Sequence, residues 1–305
     1  MRALACDREY MRDEMGALDG GCVPDWINIK SFNRDSFLKA ANGLKSKGLY
    51  TVCFEANCPN RYECLSNGNA TFMILGNVCT RHCLYCNVRG IDADGSLKID
   101  PDEPRRVAEA VAEMRINHAV VTCVSRDDLE DGGANQFVKT VREIRKRKPG
   151  CRIELLVSDF SGNWHALQEV VAAKPDILNH NIETVKRLFR KLRPLADYGR
   201  SIQVLKKIKE MDESIITKSG IMVGLGEEIP EIIATMKDLR EAGCDMLTIG
   251  QYLQPSPRHA AVVKYYSPYE FKSMMRSAYN IGFSYVLSGP LIRSSYHAKT
   301  YRCIS

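Results

Sequence analysis

The sequence predicts an α/β fold in which helices cover a parallel sheet that forms a full or partial (β/α) barrel. From about residue 71 onward, short and nearly all-apolar runs alternate with amphipathic helical patterns. Strands of this kind are typical of parallel sheets that are buried on both faces. Six or seven strand–helix units fit a barrel, and a doubly wound open sheet is the alternative. No repeat of fixed period is visible, which argues against a solenoid.

The first predicted element is a helix over residues 34–48. Phe37, Ala41 and Leu44 follow the helical spacing, and Gly48 provides a stop. The following residues 53–70 are rich in Asn, Pro, Gly and Cys, so they are expected to be a loop.

Strands and helices then alternate. The predicted strands are TFMIL (71–75), HAVVTCV (118–124), CRIELLV (151–157), DILN (176–179), SGIMVG (219–224), MLTIG (246–250) and SYVLS (284–288). The intervening helices each show one apolar face, formed by Val107, Val111 and Met114, by Phe137, Val141 and Ile144, by Ile202, Leu205 and Ile208, and by Ile232, Met236 and Leu239. Asp102 ahead of Pro104 is a plausible helix start. In such folds the chemistry gathers at the carboxyl ends of the strands.

Composition limits the function classes. The chain of 305 residues is 45% apolar and 26% charged, which is ordinary for a globular protein. Its apolar runs are far shorter than the ~18 residues that a membrane helix needs, and no secretory signal is expected at the N-terminus. The net charge of +6 is mild and spread out. It fits an acidic partner or an anionic cofactor better than a nucleic acid, which usually leaves a concentrated basic stripe.

Cysteine is the most informative residue type, because six of the twelve cysteines fall between residues 53 and 86. The stronger cluster is a Cys-x3-Cys-x2-Cys triplet, Cys79, Cys83 and Cys86, just after the first predicted strand. Three thiolates this close can hold three corners of a cubane iron–sulfur cluster and leave the fourth iron open to a small molecule. Structural zinc is the alternative, although no suitable fourth ligand is near.

This triplet, with Tyr85 before its last cysteine, resembles the signature of the radical S-adenosylmethionine (SAM) superfamily. The resemblance implies that the open iron binds the amino and carboxylate groups of SAM. An electron from the cluster then cleaves SAM to methionine and a 5′-deoxyadenosyl radical, which removes a hydrogen atom from an unactivated carbon. The cofactor carries this chemistry and the protein positions it.

The second cluster is a Cys-x4-Cys-x5-Cys triplet, Cys53, Cys58 and Cys64. On its own it suits an iron–sulfur cluster, zinc or a structural role. Placed shortly before the first triplet, it resembles the lipoyl synthase family. The stretches that carry this resemblance are CFEANCPNRYECLSNGNATFMILGNVCTRHCLYC (53–86), VSRDDLEDGGA (124–134), NHNIETV (179–185), RPLADY (193–198), TKSGIMVGLGE (217–227), DMLTIGQYLQPS (245–256) and SGPLIRSSYHA (288–298).

The resemblance implies a partial (β/α)6 radical SAM barrel with N- and C-terminal extensions that carry an auxiliary iron–sulfur cluster. The expected parts are an N-terminal extension over 1–68, the barrel over 69–290 and a C-terminal tail over 291–305. Two [4Fe–4S] clusters are expected, one on each cysteine triplet. The fourth ligand of the auxiliary cluster is expected from the Arg293-Ser294-Ser295-Tyr296 motif, with Ser295 preferred over Ser294 and with Arg293 as a second catalytic candidate.

The resemblance also implies residues that contact SAM. The candidates are Tyr85, Gly132, Gly133, Asn181, Glu183 and Arg193. Gly132 and Gly133 follow Asp131 and would bind the SAM amino group, whereas Arg193 would pair with the SAM carboxylate. A Gly220-x3-Gly224-x2-Glu227 pattern matches a strand-end motif near adenine, and His180 is either a ligand-facing or a structural histidine. For several of these a plain turn or a surface arginine is the alternative.

The implied activity is insertion of two sulfur atoms at C6 and C8 of an octanoyl chain on a carrier-protein lysine, with the auxiliary cluster as sulfur donor. The expected partners are a lipoyl carrier domain or the glycine-cleavage H protein, a ferredoxin or flavodoxin reductant, and an iron–sulfur carrier that rebuilds the cluster. Oxygen-labile clusters imply a cytoplasmic location, and neither nucleic acid nor membrane is expected as a partner. The alternatives are another radical SAM enzyme with an auxiliary cluster, acting in peptide oxidation or methylthiolation, and a non-enzymatic metal module that binds nucleic acid.

Six cysteines match no motif. Cys123, Cys151 and Cys244 lie in or beside predicted strands and are expected to be buried thiols. Cys6, Cys22 and Cys303 lie near the chain ends, and a role of Cys303 near the auxiliary site is a minor alternative.

Overall fold

An eight-stranded sheet organises the protein, whose structure, a computed structural model, describes residues 23–28, 30–91 and 97–296. Cys6, Cys22 and Cys303 lie outside the described residues. The strands are β1 (Tyr50–Thr51), β2 (Thr71–Ile74), β3 (Val78–Cys79), β4 (Arg89–Gly90), β5 (His118–Cys123), β6 (Arg152–Leu156), β7 (Ile177–Asn179), β8 (Ile216–Val223), β9 (Met246–Gln251) and β10 (Tyr285–Gly289). All of these belong to the eight-stranded sheet except β3 and β4, which form a two-stranded sheet of their own.

Helices follow most strands. They are α1 (Arg34–Ser46), α2 (Val52–Glu55), α3 (Arg61–Ser66), α4 (Glu103–Glu113), α5 (Ala134–Arg147), α6 (Trp164–Ala172), α7 (Lys186–Leu192), α8 (Tyr198–Met211), α9 (Ile229–Glu241) and α10 (Pro268–Ile281). The N-cap of α4 is Asp102, as the sequence predicts.

The strand order shows that the sheet winds as a barrel. The order is β1-β2-β5-β6-β7-β8-β9-β10, and every pair is parallel except β1 with β2. A doubly wound sheet reverses its strand order at a switch point, and no reversal occurs here. In the described part of the chain β1 and β10 stand at opposite ends of the sheet. The predicted partial (β/α) barrel is therefore confirmed.

All seven predicted strands are present, and their apolar side chains meet the predicted helix faces in one core. Phe137, Val141 and Ile144 of α5 are buried, as are Ile232 and Met236 of α9. The register is continuous across the parallel strands; for example, Val121 pairs with Phe72 on one side and with Leu155 on the other. Residues with strand periodicity thus form the inner layer and residues with helical periodicity cover it.

The prediction of a loop over 53–70 is wrong in part, because α2 and α3 lie there. Both are too short to be stable alone, so packing must hold them. The Tyr62 ring of α3 stacks on Phe32 at 4.9 Å between centroids and lies 5.0 Å from Phe37 of α1. This aromatic cluster joins the N-terminal extension into one unit.

Among the residues that the structure describes, every helix is too short or too polar to span a membrane.

Candidate active site

A cavity of about 380 Å³ lies among residues at or beyond the carboxyl ends of β5, β6, β7, β9 and β10. Its wall includes Cys123 at the end of β5, Asn181 after β7, Tyr252 after β9 and Arg293 after β10. This is the edge at which parallel barrels place their chemistry.

Both cysteine triplets line this cavity, and all six thiols are free of disulfides. Cys79 ends β3, and Cys83 and Cys86 lie in the loop between β3 and β4, two short strands that pair in parallel and close the loop at its base. Cys53 lies in α2, Cys58 in the following turn and Cys64 in α3. Two cysteine segments that are separate in the sequence therefore face the same cavity.

The donor set fits iron–sulfur clusters. Burial raises the pKa of Cys53 and of Cys86 to about 12, so without metal these thiols are neutral and lose a proton only on binding one. Burial also raises the pKa of Cys58 and of Cys83, and the positive charges of Arg293 near Cys58 and Arg193 near Cys83 oppose this rise. Within the described ranges no three His, Cys, Asp or Glu side chains converge on a single ion. A cubane instead binds each thiolate at a different iron.

The C-terminal motif lies against the second triplet. Thr71 donates from its hydroxyl to Ser295 Oγ at 2.7 Å, and its backbone hydrogen-bonds to the Cys53 thiol. The Tyr296 hydroxyl bonds to Glu63, the neighbour of Cys64, at 2.8 Å. Ser294 instead faces the other side of the cavity, where Asn181 Nδ2 donates to its hydroxyl at 3.4 Å.

A second group of polar residues lies near the first triplet. Tyr85, Asn181, Glu183 and Arg193 all line the cavity. Arg193 is 8% exposed, which excludes the alternative of a surface arginine at a helix end. Although burial lowers the pKa of Arg193, the neighbouring Tyr85 and Glu183 raise it, so it remains a cation.

Several buried polar atoms at the cavity have no hydrogen-bond partner among the described residues. They are Asn181 Oδ1, His180 Nε2 and Arg193 Nε. The His180 ring is fixed through Nδ1, which lies 2.9 Å from the Val157 carbonyl. Buried polar atoms in native proteins are usually paired, so atoms left unpaired beside a cavity suit a polar ligand.

The structure does not bring the predicted glycines to the cavity wall. Gly132 and Gly133 have φ of +57° and +89°, and a Cβ at Gly133 would overlap the Leu75 side chain. Asp131 accepts from the amide of Gly133 at 2.9 Å, which makes this segment the turn that starts α5.

The glycine–glutamate pattern after β8 is likewise a turn in this structure. Glu227 accepts from the amides of Gly224 and Leu225 at 2.6 and 2.9 Å. Neither Gly224 nor Glu227 is among the cavity-lining residues.

Sequence reasoning missed other residues of the site. Cys151 and Cys244 are buried thiols as expected, but Cys123 lines the cavity. Arg81, inside the first triplet, is 5% exposed, and it bonds to Asp127 at 2.7 Å and Asp159 at 2.6 Å. Asp159 also accepts from Arg200 at 2.6 Å, so this network anchors the cysteine loop to the barrel. The position of a charged residue, Arg81, between two closely spaced cysteines was the sequence feature that could have indicated this anchoring role.

Comparisons with known proteins agree with this geometry. The family model described as the Radical SAM superfamily matches residues 73–239. A lipoyl synthase of Caldanaerobacter subterraneus is 52% identical over 90% of this chain and 95% of its own length. The lipoyl synthases of Alkaliphilus metalliredigens and Staphylococcus carnosus are 51% and 50% identical, each over 90% of this chain and over 94% and 88% of their own lengths.

Solved structures share the fold at low sequence identity. Methylornithine synthase has a TM-score of 0.55 at 13% identity, covering 92% of this chain and 81% of its own. Streptococcus suis SuiB bound to S-adenosylmethionine also has a TM-score of 0.55 at 13% identity, covering 95% and 63%. The level of identity to the curated relatives decides the family: the chain belongs to the lipoyl synthase family of the radical SAM superfamily, whose members are enzymes that use S-adenosylmethionine and [4Fe–4S] clusters.

Proposed function

We propose that the chain inserts two sulfur atoms at C6 and C8 of an octanoyl group attached by an amide to a lysine of a carrier protein. The observation that carries this proposal is the shared cavity, which both cysteine triplets and the Arg293–Tyr296 segment line. A sulfur-inserting enzyme needs a radical-generating site and a sulfur source within reach of one substrate chain. Family membership supports the same activity.

Cys79, Cys83 and Cys86 would hold the first cluster, and Cys53, Cys58, Cys64 and Ser295 the auxiliary one. When bound, the first cluster and SAM supply the hydrogen-abstracting radical and the auxiliary cluster supplies sulfide. The position of Ser295 supports its choice over Ser294, because Thr71 links its hydroxyl to the Cys53 thiol. Hydroxyl oxygen is an unusual ligand where thiolate is the norm, which suits an iron that must be released.

The polar group near the first triplet would orient SAM. Arg193 is a buried cation and would pair with the SAM carboxylate. Asn181 offers an unpartnered amide oxygen, and Glu183 offers a half-buried carboxyl group for the SAM amino group; burial raises the pKa of Glu183 and the charge of Arg193 opposes that shift. Tyr85 and the apolar side chains Val124 and Leu253 complete the wall and keep water away from the reacting carbon.

The proposed reaction also needs partner proteins and a division of the chain into parts. The substrate protein is an octanoylated lipoyl domain or the glycine-cleavage H protein, the reductant is a ferredoxin or flavodoxin, and an iron–sulfur carrier restores the auxiliary cluster. The protein acts in the cytoplasm. The division at residues 68 and 290 separates the parts that carry the auxiliary site from the barrel, and β1, which pairs with β2, joins the first part to the sheet.

Anaerobic incubation with SAM, a reductant and an octanoyl-lysine peptide tests the proposal, with mass spectrometry of the peptide and of SAM products. We expect a peptide that gains two sulfur atoms. Cys79→Ala should stop SAM cleavage, whereas Cys58→Ala should leave SAM cleavage intact and abolish sulfur addition. Cys151→Ala, at a buried thiol away from the cavity, is the control. A wild-type reaction that cleaves SAM and leaves the peptide without sulfur would remove the proposal.

A further inference from the structure

Three ionisable side chains lie inside the barrel and have no part in the chemistry described above. His118 begins β5, Glu154 lies in β6 and Lys218 lies in β8. The side chains of Glu154 and Lys218 are fully buried, and Lys218 Nζ lies 2.7 Å from Glu154 Oε1. His118 Nε2 lies 3.2 Å from the other carboxylate oxygen.

Lys218 and Glu154 form an ion pair. Burial lowers the pKa of Lys218, and the charge of Glu154 opposes that shift. Burial raises the pKa of Glu154, but the charge of Lys218 and the hydrogen bond from His118 outweigh it and bring that pKa below its usual value. Val120, Ile177 and Met246, on the alternate strands β5, β7 and β9, pack together and lie in register beside the pair, and Asn179 Nδ2 donates to Glu154 Oε1 at 3.5 Å.

Stability alone does not explain such a pair. Removing two charged groups from water costs more free energy than burying two apolar side chains of the same volume. Replacing a buried ion pair by apolar residues is therefore often neutral or stabilising. Apolar side chains such as Val120, Ile177 and Met246 already pack beside the pair, and residues of that kind could have replaced it. The pair therefore points to a specific contact that needs the ammonium group.

That contact is with the C-terminal motif. Lys218 Nζ donates a short hydrogen bond to the backbone carbonyl of Ser294. This carbonyl belongs to the planar peptide group that joins Ser294 to Ser295. The hydrogen bond from the ammonium group therefore fixes the orientation of that peptide plane, and with it the direction in which the Ser295 side chain points. On the far side of this peptide, the Ser295 hydroxyl meets Thr71 at 2.7 Å.

We propose that Lys218, held in place by Glu154, is a positioning residue that fixes the Ser294–Ser295 peptide and thereby presents the Ser295 hydroxyl to the triplet Cys53, Cys58 and Cys64. This inference rests on the proposed function, because it takes Ser295 as a ligand of the auxiliary cluster. Glu154 orients the ammonium, and His118 orients Glu154 in turn.

The test isolates the auxiliary site in a parent chain in which Cys79, Cys83 and Cys86 are replaced by Ala. Into this parent we introduce Lys218→Met alone, and Lys218→Met together with Glu154→Gln. The single change leaves a buried carboxylate without its cation, whereas the double change removes both charges. After anaerobic reconstitution, two quantities are measured: the melting temperature, and the rate at which a chelator removes iron.

The expected results separate positioning from stability. The single variant should melt at a lower temperature, and the double variant should melt near the parent. Iron loss in the double variant should nevertheless be roughly tenfold faster than in the parent, the factor for one lost charge-assisted hydrogen bond. Lys207→Met with Glu210→Gln, which neutralises an exposed ion pair on α8, is the matched control and should change neither quantity.

Two outcomes would contradict the inference in different ways. If the double variant melts like the parent and also retains iron like the parent, the pair is structural and only this inference fails. If the parent chain itself takes up no cluster of about four irons, the auxiliary site is absent, and the proposed function and the inference fall together. A Ser295→Ala variant of the parent shows the effect of losing the hydroxyl outright.

Discussion

Arg193 is a buried cation, and two of the ionisable side chains that raise its pKa, Tyr85 and Glu183, line the cavity. Its Nη1 donates to the carbonyls of Asn181 and Ile182 at 3.2 and 3.4 Å, and its Nε has no partner in the described structure. A guanidinium that is fixed by backbone and still has an unused donor is well placed to bind a carboxylate.

We therefore expect Arg193→Gln to weaken SAM binding by about 10- to 100-fold, the range for one or two charge-assisted hydrogen bonds. Equilibrium dialysis of SAM against the anaerobic cluster-loaded protein measures this. Arg190→Gln, on the exposed face of α7, is the control. Equal affinities of the two variants would show that Arg193 does not contact SAM.

His180 makes the stability of the cluster-free protein depend on pH. Burial and the positive charge of Arg193 lower its pKa to about 4. The neutral ring therefore contributes stability that is complete above the unfolded pKa of about 6.5 and is lost as the pH falls toward 4. Between pH 7 and pH 5 this contribution should fall by about 2 kcal/mol.

Anaerobic urea unfolding at pH 7 and pH 5 tests this expectation. His180→Gln should lose less stability on acidification than the wild type by that amount, while His165→Gln, at an exposed position, should behave as the wild type. An unchanged pH dependence in His180→Gln would show that the imidazole is not held neutral.

At the scale of elements, β9 and the C-terminal segment pass so closely that no side chain fits between them. A Cβ at Gly250 would overlap the carbonyl oxygen of Ile292, just before the Arg293–Tyr296 motif. The same segment is fixed on its other side by Asn60, which donates to the Leu291 carbonyl at 2.7 Å.

Gly250→Ala should therefore displace the motif and weaken the auxiliary site while the barrel stays folded. Iron content after reconstitution should fall from about eight to about four per chain, the loss of one cubane, with SAM cleavage retained. Gly43→Ala, in the exposed face of α1 where a Cβ meets nothing within 4 Å, should retain all the iron. Full iron content in Gly250→Ala would show that the motif does not need its observed position.

At the scale of the whole molecule, the net charge of +6 should increase the rate of association with an acidic carrier protein. Long-range attraction raises association rates and is screened as the Debye length shortens from about 30 Å at 0.01 M salt to about 8 Å at 0.15 M. With an acidic lipoyl domain as substrate, kcat/KM should fall about tenfold over this range.

An octanoyl-lysine peptide without net charge provides the comparison, since its reaction should change little with salt. The test is to measure kcat/KM for both substrates at several salt concentrations. An equal salt dependence for the two would place the effect in the chemistry or the fold rather than in carrier docking.

Local spacing in the sequence was enough to predict the seven parallel strands and the two cysteine triplets. Strand and helix periodicities can be recognised within a few consecutive residues. Each cysteine triplet lies within a short segment, so its three thiols cannot be far apart. The same locality explains the error over 53–70, where Asn, Pro and Gly favour turns but packing of Tyr62 against Phe32 and Phe37 supports α3.

Only the tertiary structure decided which distant residues meet. Ser295 and Thr71 are separated by 224 positions, and Lys218 reaches Glu154 across the barrel interior. It also placed Gly132 and Gly133 in a turn against Leu75 and Phe160 rather than on the cavity wall. Such contacts depend on strand order and on how the barrel curves, and these follow from the sum of many long-range packing interactions that no local pattern records.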